Sequence, residues 1–218
     1  MQQILVYGDS LSWGIIPNTR QRLVFDQRWP GVLENILKAA GHSVRVIENC
    51  LNGRRTVWDD PFKEGRNGSR GLAQAIEMHS PLQLVILVLG TNDFQGTHHN
   101  DALLAAQGVA KLVNIVRQAP IEPGMAKPEI LIVAPPEIVE PRGSMAAKFP
   151  GAAKRSAGFA LELARVADEA GILFLDGGGA TEASAVDGIH LDAEQHVLLG
   201  EAIARKISVS GVLGLSGR

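Results

Sequence analysis

Three short stretches of this sequence carry side chains that could do chemistry together. The first is Gly8-Asp9-Ser10-Leu11-Ser12-Trp13-Gly14, directly after an apolar run. Gly8 allows a sharp turn, and Ser10 then falls where a strand gives way to a helix. Its hydroxyl is exposed there, near the positive end of a helix dipole, a setting that suits a nucleophile and the anion it generates. A serine after a strand is also a common helix cap. The second stretch is Leu89-Gly90-Thr91-Asn92-Asp93, where Asn92 offers an amide donor but also suits a cap or an Asx-turn. The third is Asp187-Gly188-Ile189-His190. An Asp three residues before a His can fold back, accept from the imidazole N–H and stabilise the imidazolium. The alternative is a turn with a surface histidine, as five other histidines illustrate. Taken together, the three suit nucleophilic acyl chemistry. Asp9 and Asp93 read as structural groups that hold their loops.

The elements that must position these residues follow from hydrophobic periodicity. Apolar runs at 4–7, 44–48, 84–89, 130–134 and 172–175 read as five strands. Helical spacing predicts helices over 29–40, 72–78, 102–116, 152–170 and 193–207, with Ser69 available as a cap for the second. Short, fully apolar strands alternating with helices mean a parallel sheet covered on both faces. The expected fold is therefore α/β, a three-layer α/β/α sandwich. Its five-stranded parallel sheet takes the flavodoxin-like order 2-1-3-4-5, in one domain over 1–218. Ligands in such sheets bind beyond the carboxyl ends of the strands, near the switch point between the first and third. Residues 52–71 and 135–150, rich in Gly, Pro and polar side chains, break the alternation and are candidates for walls over that rim.

Composition narrows the function classes. The net charge of −2 and the 5% aromatic content argue against a nucleic-acid partner. No apolar run approaches the roughly 20 residues of a membrane helix. The first residues read as a strand and not a signal peptide, so a cytoplasmic protein is the expectation. The single cysteine, Cys50, excludes an internal disulfide and reads as a buried residue ending a strand. Adjacent His98 and His99 lack partner spacing for a metal, and neither metal nor cofactor is expected.

The Gly-Asp-Ser-Leu opening, a glycine after the second strand, Gly90-Thr91-Asn92-Asp93 and the late Asp187-x-x-His190 resemble the four blocks of the SGNH (GDSL-type) hydrolase family. The resemblance implies Ser10 as nucleophile, His190 as general base and Asp187 as the orienting acid. It also implies an oxyanion hole from the N–H groups of Ser10 and Gly53 and the side chain of Asn92. Gly8–Gly14, Asp59-Asp60-Pro61, Asn67-Gly68 and Asp187–His190 are further similar to a bacterial arylesterase/acyltransferase branch. That likeness implies small-molecule short-chain esters as substrates, acyl transfer to alcohols or peroxide, and a homo-oligomer. A carbohydrate O-acetyl deacetylase or a thioesterase would use the same residues, and a non-catalytic binding protein could use the same scaffold. Trp13 could line the pocket or pack its helix on the sheet.

Overall fold

The computed structural model describes residues 1–214. Five strands, β1 (Gln2–Gly8), β2 (Val44–Cys50), β3 (Leu84–Val88), β4 (Glu129–Ala134) and β5 (Leu173–Asp176), form one parallel sheet in the order β2-β1-β3-β4-β5. The helices are α1 (Ser10–Trp13), α2 (Trp29–Ala39), α3 (Leu72–His79), α4 (Ala102–Gln118), α5 (Ser144–Lys148), α6 (Ala152–Ser156), α7 (Phe159–Ala170) and α8 (Ala193–Ser210).

The period-2 alternation of strand side chains divides the core into two layers. Leu5, Tyr7, Val85, Leu87, Ile130 and Ile132 face one layer, which α3, α4 and α7 cover. Ile4, Val6, Leu84, Ile86, Leu131 and Val133 face the other, against α2 and α8. Both faces of β1, β3 and β4 are thus buried, which is why these strands read as unbroken apolar runs.

Three details differ from the expectations. The helix expected over 152–170 is two helices. Ala157 ends the first (ψ 129°), and Gly158, left-handed at φ 80°, starts the second, with Phe159 edge-on to Phe94 at 5.3 Å between ring centroids. Ser69 does not cap α3. It sits in a 3-10 turn whose cap is the side chain of Asn67, while Gly71 precedes α3 without a side-chain cap. Residues 135–150 contain α5, a helix too short to show helical periodicity.

The register sets up the site. Gly8, the last residue of β1, pairs with Cys50 on β2 and Val88 on β3. Three adjacent strands therefore end level with one another. The segments that follow them deliver Gly53, Ser10 and Asn92 side by side to one rim.

Candidate active site

Asp9, and not Ser10, caps α1: its Oδ1 accepts from the Leu11 N–H at 2.9 Å. Ser10 is the first helical residue, so its hydroxyl is free of the capping role. That hydroxyl lies 3.1 Å from His190 Nε2. His190 Nδ1 stands 2.6 Å from Asp187 Oδ2. The other carboxylate oxygen, Oδ1, accepts from the backbone N–H groups of Ile189 (3.0 Å) and His190 (2.9 Å). With Nδ1 donating to the carboxylate, Nε2 is left as the acceptor facing Ser10. All three side chains are buried.

Burial pushes the Asp187 carboxyl up, but the His190 ring and the two backbone N–H groups outweigh it and hold the carboxyl at about 2. Asp187 is therefore charged at neutral pH, as a group that must stabilise an imidazolium has to be. The turn carrying the pair is anchored to the loop after β4. Val139 N–H donates to Gly188 C=O (3.2 Å) and Arg142 N–H to Asp187 C=O (3.0 Å). Gly188 has φ 78°, and a Cβ there would stand 2.5 Å from the Glu140 carbonyl oxygen.

Gly53 occupies a turn closed by the Arg54 N–H on Leu51 C=O at 2.9 Å. Its φ of 81° is the conformation the third position of a type II turn demands. Arg54 ties this turn to the end of β1, two residues before Ser10, donating to the carbonyl of Gly8 (3.0 Å) and to Asn49 Oδ1 (2.8 Å). Its guanidinium also lies 3.9 Å above the Tyr7 ring.

The orientation of Asn92 is set by a chain of hydrogen bonds with one permissible direction. Arg55 is fully buried and can only donate, so Gln95 must turn its carbonyl Oε1 toward Arg55 Nη2 (3.0 Å). The Gln95 amide then faces Asn92 Oδ1 at 2.6 Å. Asn92 Nδ2 must accordingly face Asp9 Oδ2, at 2.9 Å. One amide hydrogen of Asn92 is used on Asp9, and the second remains for the cleft. Asp93 is a loop anchor, as expected: its carboxylate takes the N–H and hydroxyl of Thr56. Burial raises Asp93 to about 7 and Asp9 to about 6, the latter opposed by Leu11, His190 and Asn92. Arg54, Arg55 and Gln95 were not singled out from the sequence. Two adjacent arginines in a polar loop carry no signal of burial.

Ser10, Gly53, Asn92, Asp187 and His190 line one cleft of about 170 Å³. Asn52, Asp60 and Lys63 from one irregular segment and Ser144, Met145, Lys148 and Phe149 from the other wall it. A larger cavity of about 390 Å³ lies over the ends of β4 and β5 and is lined by none of Ser10, Asp187 and His190. The smaller cleft is therefore where serine chemistry can occur. Trp13 is not in its lining. Its ring lies under the Arg22 guanidinium, 4.8 Å away, and its carbonyl accepts from Arg22 Nε. Among the described residues no group of three or more His, Cys, Asp or Glu side chains is arranged to hold a metal.

This geometry agrees with what the chain is similar to. A carbohydrate acetylesterase family member from Sinorhizobium meliloti shares 39% identity at a TM-score of 0.90, covering 99% of this chain and 100% of that one. The carbohydrate acetylesterase Est24 from the same organism shares 33% at 0.90, covering 96% and 100%. The inhibitor-bound aryl esterase of M. smegmatis shares 31% at 0.91, covering 96% and 99%. No curated protein sequence matches significantly. The family model for GDSL-like lipases and acylhydrolases matches residues 6–198, which take in the serine, the asparagine and the Asp–His turn. The chain belongs to the GDSL-like lipase/acylhydrolase family, and is a carboxylic ester hydrolase.

Proposed function

We propose that this hydrolase cleaves short acyl esters through an acyl-enzyme on Ser10. The observation that carries the reading is the unbroken line from Ser10 Oγ through His190 to Asp187, inside a cleft of about 170 Å³. His190 Nε2 takes the hydroxyl proton as Oγ attacks the ester carbonyl. The carbonyl π electrons move to oxygen, where the N–H groups of Ser10 and Gly53 and the free amide hydrogen of Asn92 receive the charge. The tetrahedral intermediate collapses, the bond to the alcohol oxygen breaks, and the imidazolium protonates the departing alcohol. Water then gives its proton to His190 and attacks the acyl carbon, releasing acid and restoring the Ser10 hydroxyl. An alcohol or peroxide in place of water transfers the acyl group instead. The cleft's size favours acetyl to butyryl chains.

A second reading keeps the machinery and changes the alcohol to a carbohydrate, so that the enzyme removes O-acetyl groups. Its support is the 39% identity with the S. meliloti protein and an open groove that continues the cleft outward. We also propose self-association, supported by exposed Val139 and Val186 on adjoining loops. A monomer-sized species by light scattering would refute it.

The test compares hydrolysis of p-nitrophenyl acetate and butyrate by the wild type and Ser10→Ala, with and without added alcohol. Loss of roughly 10⁴-fold or more in kcat is expected for the variant, with ester product from the alcohol reporting transfer. Undiminished turnover by Ser10→Ala sinks the mechanism. Faster release of acetate from acetylated xylan than from phenyl acetate favours the carbohydrate reading.

A further inference from the structure

The catalytic cleft opens outward between cations. Lys63 and Lys148 line it together with Arg20. The same two lysines also line an adjoining open groove of about 480 Å³, with Phe62, Gln95 and Thr97. They therefore stand where the inner cleft meets the groove. Asp60 lies at the same junction, but its charge is already engaged. One oxygen pairs with the buried Arg55 guanidinium at 3.3 Å, and the other accepts from the Phe62 N–H at 2.9 Å. Asp187, the other carboxylate of the cleft, belongs to His190. Among the described residues, Arg20, Lys63 and Lys148 take part in no ion pair. Partial desolvation lowers the Lys148 ammonium below the usual lysine range. Lys63, Arg55 and Arg20 add repulsion there, against the pull of Asp60. A protein of net charge −2 thus concentrates unpaired positive charge at the mouth of its active site. Fields focused in such a cleft select the sign of what enters.

We propose that the alcohol portion of the ester leaves the cleft between Lys63 and Lys148 and carries a carboxylate, so that the substrates are acyl esters of anionic alcohols. The inner cleft is small enough to take the acyl group, and the outer groove is then left for the alcohol, with the exposed Phe62 ring beside it. A carboxylate on that alcohol finds two ammonium groups that form no ion pair of their own, the nearby Asp60 being paired with Arg55. This inference rests on the esterase reading above.

The experiment measures kcat/KM for 3-acetoxybenzoate and for the neutral 3-acetoxybenzamide, in wild type, K63Q, K148Q and the double variant. Intrinsic differences between the leaving groups cancel when the anionic-to-neutral ratio is compared across variants. That ratio is expected to fall about tenfold in the double variant, the scale of one or two partly exposed ion pairs. It should fall in the wild type as salt rises. A ratio that moves with neither the lysines nor salt overturns the proposal while leaving esterase activity intact. Calorimetric binding of 3-hydroxybenzoate against 3-hydroxybenzamide reads the cationic mouth without turnover. Lysine-dependent binding of the acid alone supports the mouth even if both esters are inert, an outcome that would count against the esterase reading instead. Equal binding overturns the proposal. Repeating the ratio with acetylated galacturonate and acetylated galactose distinguishes a sugar acid from a phenolic acid as the alcohol.

Discussion

Asn92 can offer the cleft a donor only because its amide is held the right way round. The direction originates at Arg55, which has no acceptor, and passes through Gln95. Asp9 completes it by accepting at the far end. Asn92→Ala is expected to lower kcat by about 10²–10³, the cost of one oxyanion donor. Gln95→Leu removes the hydrogen bond to Asn92 Oδ1 and should lower kcat about tenfold, with a smaller effect on KM. Gln95 is a positioning residue, so its effect should vanish in the Asn92→Ala background. A double-mutant cycle reads this directly, and additive losses would show that Gln95 acts elsewhere. Ser10, Asn92, Asp187 and His190 were legible in the sequence because their types are reactive and their neighbours distinctive. Arg55 and Gln95 were not, since their contacts join segments 40 residues apart in sequence. The tryptophan close to Ser10 illustrates the converse. Trp13 is close to Ser10 in sequence, yet it lies under Arg22 and outside the cleft lining.

At the scale of elements, two devices align the site. Strand register ends β2, β1 and β3 level, and this, with the Arg54 tie to Gly8 and the Asn92 hydrogen bond to Asp9, brings Gly53, Ser10 and Asn92 together. The Asp187–His190 turn is aligned separately, by its attachment to the loop after β4. Gly188 is the closest point of that attachment. Gly188→Ala combines a positive φ with a Cβ 2.5 Å from the Glu140 carbonyl, so the turn must shift. A loss of at least about tenfold in kcat is expected, since displacements near 1 Å at a reacting group are that costly or more. Thermal stability should fall as well, because the turn is buried and its Ile189 belongs to the core layer covered by α3, α4 and α7. Wild-type kcat in a folded Gly188→Ala protein would show that the turn tolerates the shift. Helix α8 is held to α2 by a similar close approach: a Cβ on Gly200 would lie 2.8 Å from Val32. There the cost of Gly200→Ala belongs to stability, about 1–3 kcal/mol by urea unfolding, with kcat little changed.

For the whole molecule, buried titratable groups set the dependence of stability on pH. His196 is fully buried between α8 and α2, where its Nδ1 accepts from the Trp29 N–H at 3.3 Å. Burial, helped by the charges of His190 and Arg28, lowers it from 6.5 to about 3. Between those values the unfolded chain binds a proton that the folded one does not. Stability from His196 is therefore present above pH 6.5 and is lost toward pH 3, at up to about 1.4 kcal/mol per pH unit. Asp93 and Asp9 act in the opposite sense. Raised to about 7 and 6 from 3.8, they take up protons in the fold first and add stability as the pH falls toward 4. Asp187, held at about 2, contributes stability that is present above 3.8 and lost as pH falls through 2. Urea unfolding of wild type and His196→Gln at pH 7, 6, 5 and 4 isolates the histidine. The wild-type-minus-variant difference should decline steadily with pH, and a constant difference would falsify the assignment.

The sequence by itself determined the sheet, its order and the residues able to do chemistry. Buried parallel strands must be apolar throughout, and the Gly8–Gly14 turn and the Asp187–His190 pair are each built within a few residues. Both are local constraints, so both are written locally. Only the tertiary structure decided how the turn at Gly53 is tied to the end of β1, which way the Asn92 amide points, and that Arg20, Lys63 and Lys148 share one mouth. These depend on contacts between residues far apart in the chain, where no spacing or periodicity records which partners meet. The break at Gly158 belongs with them: a helical pattern continues through 152–170, and packing of Phe159 against Phe94 and Gly90 marks where the chain turns.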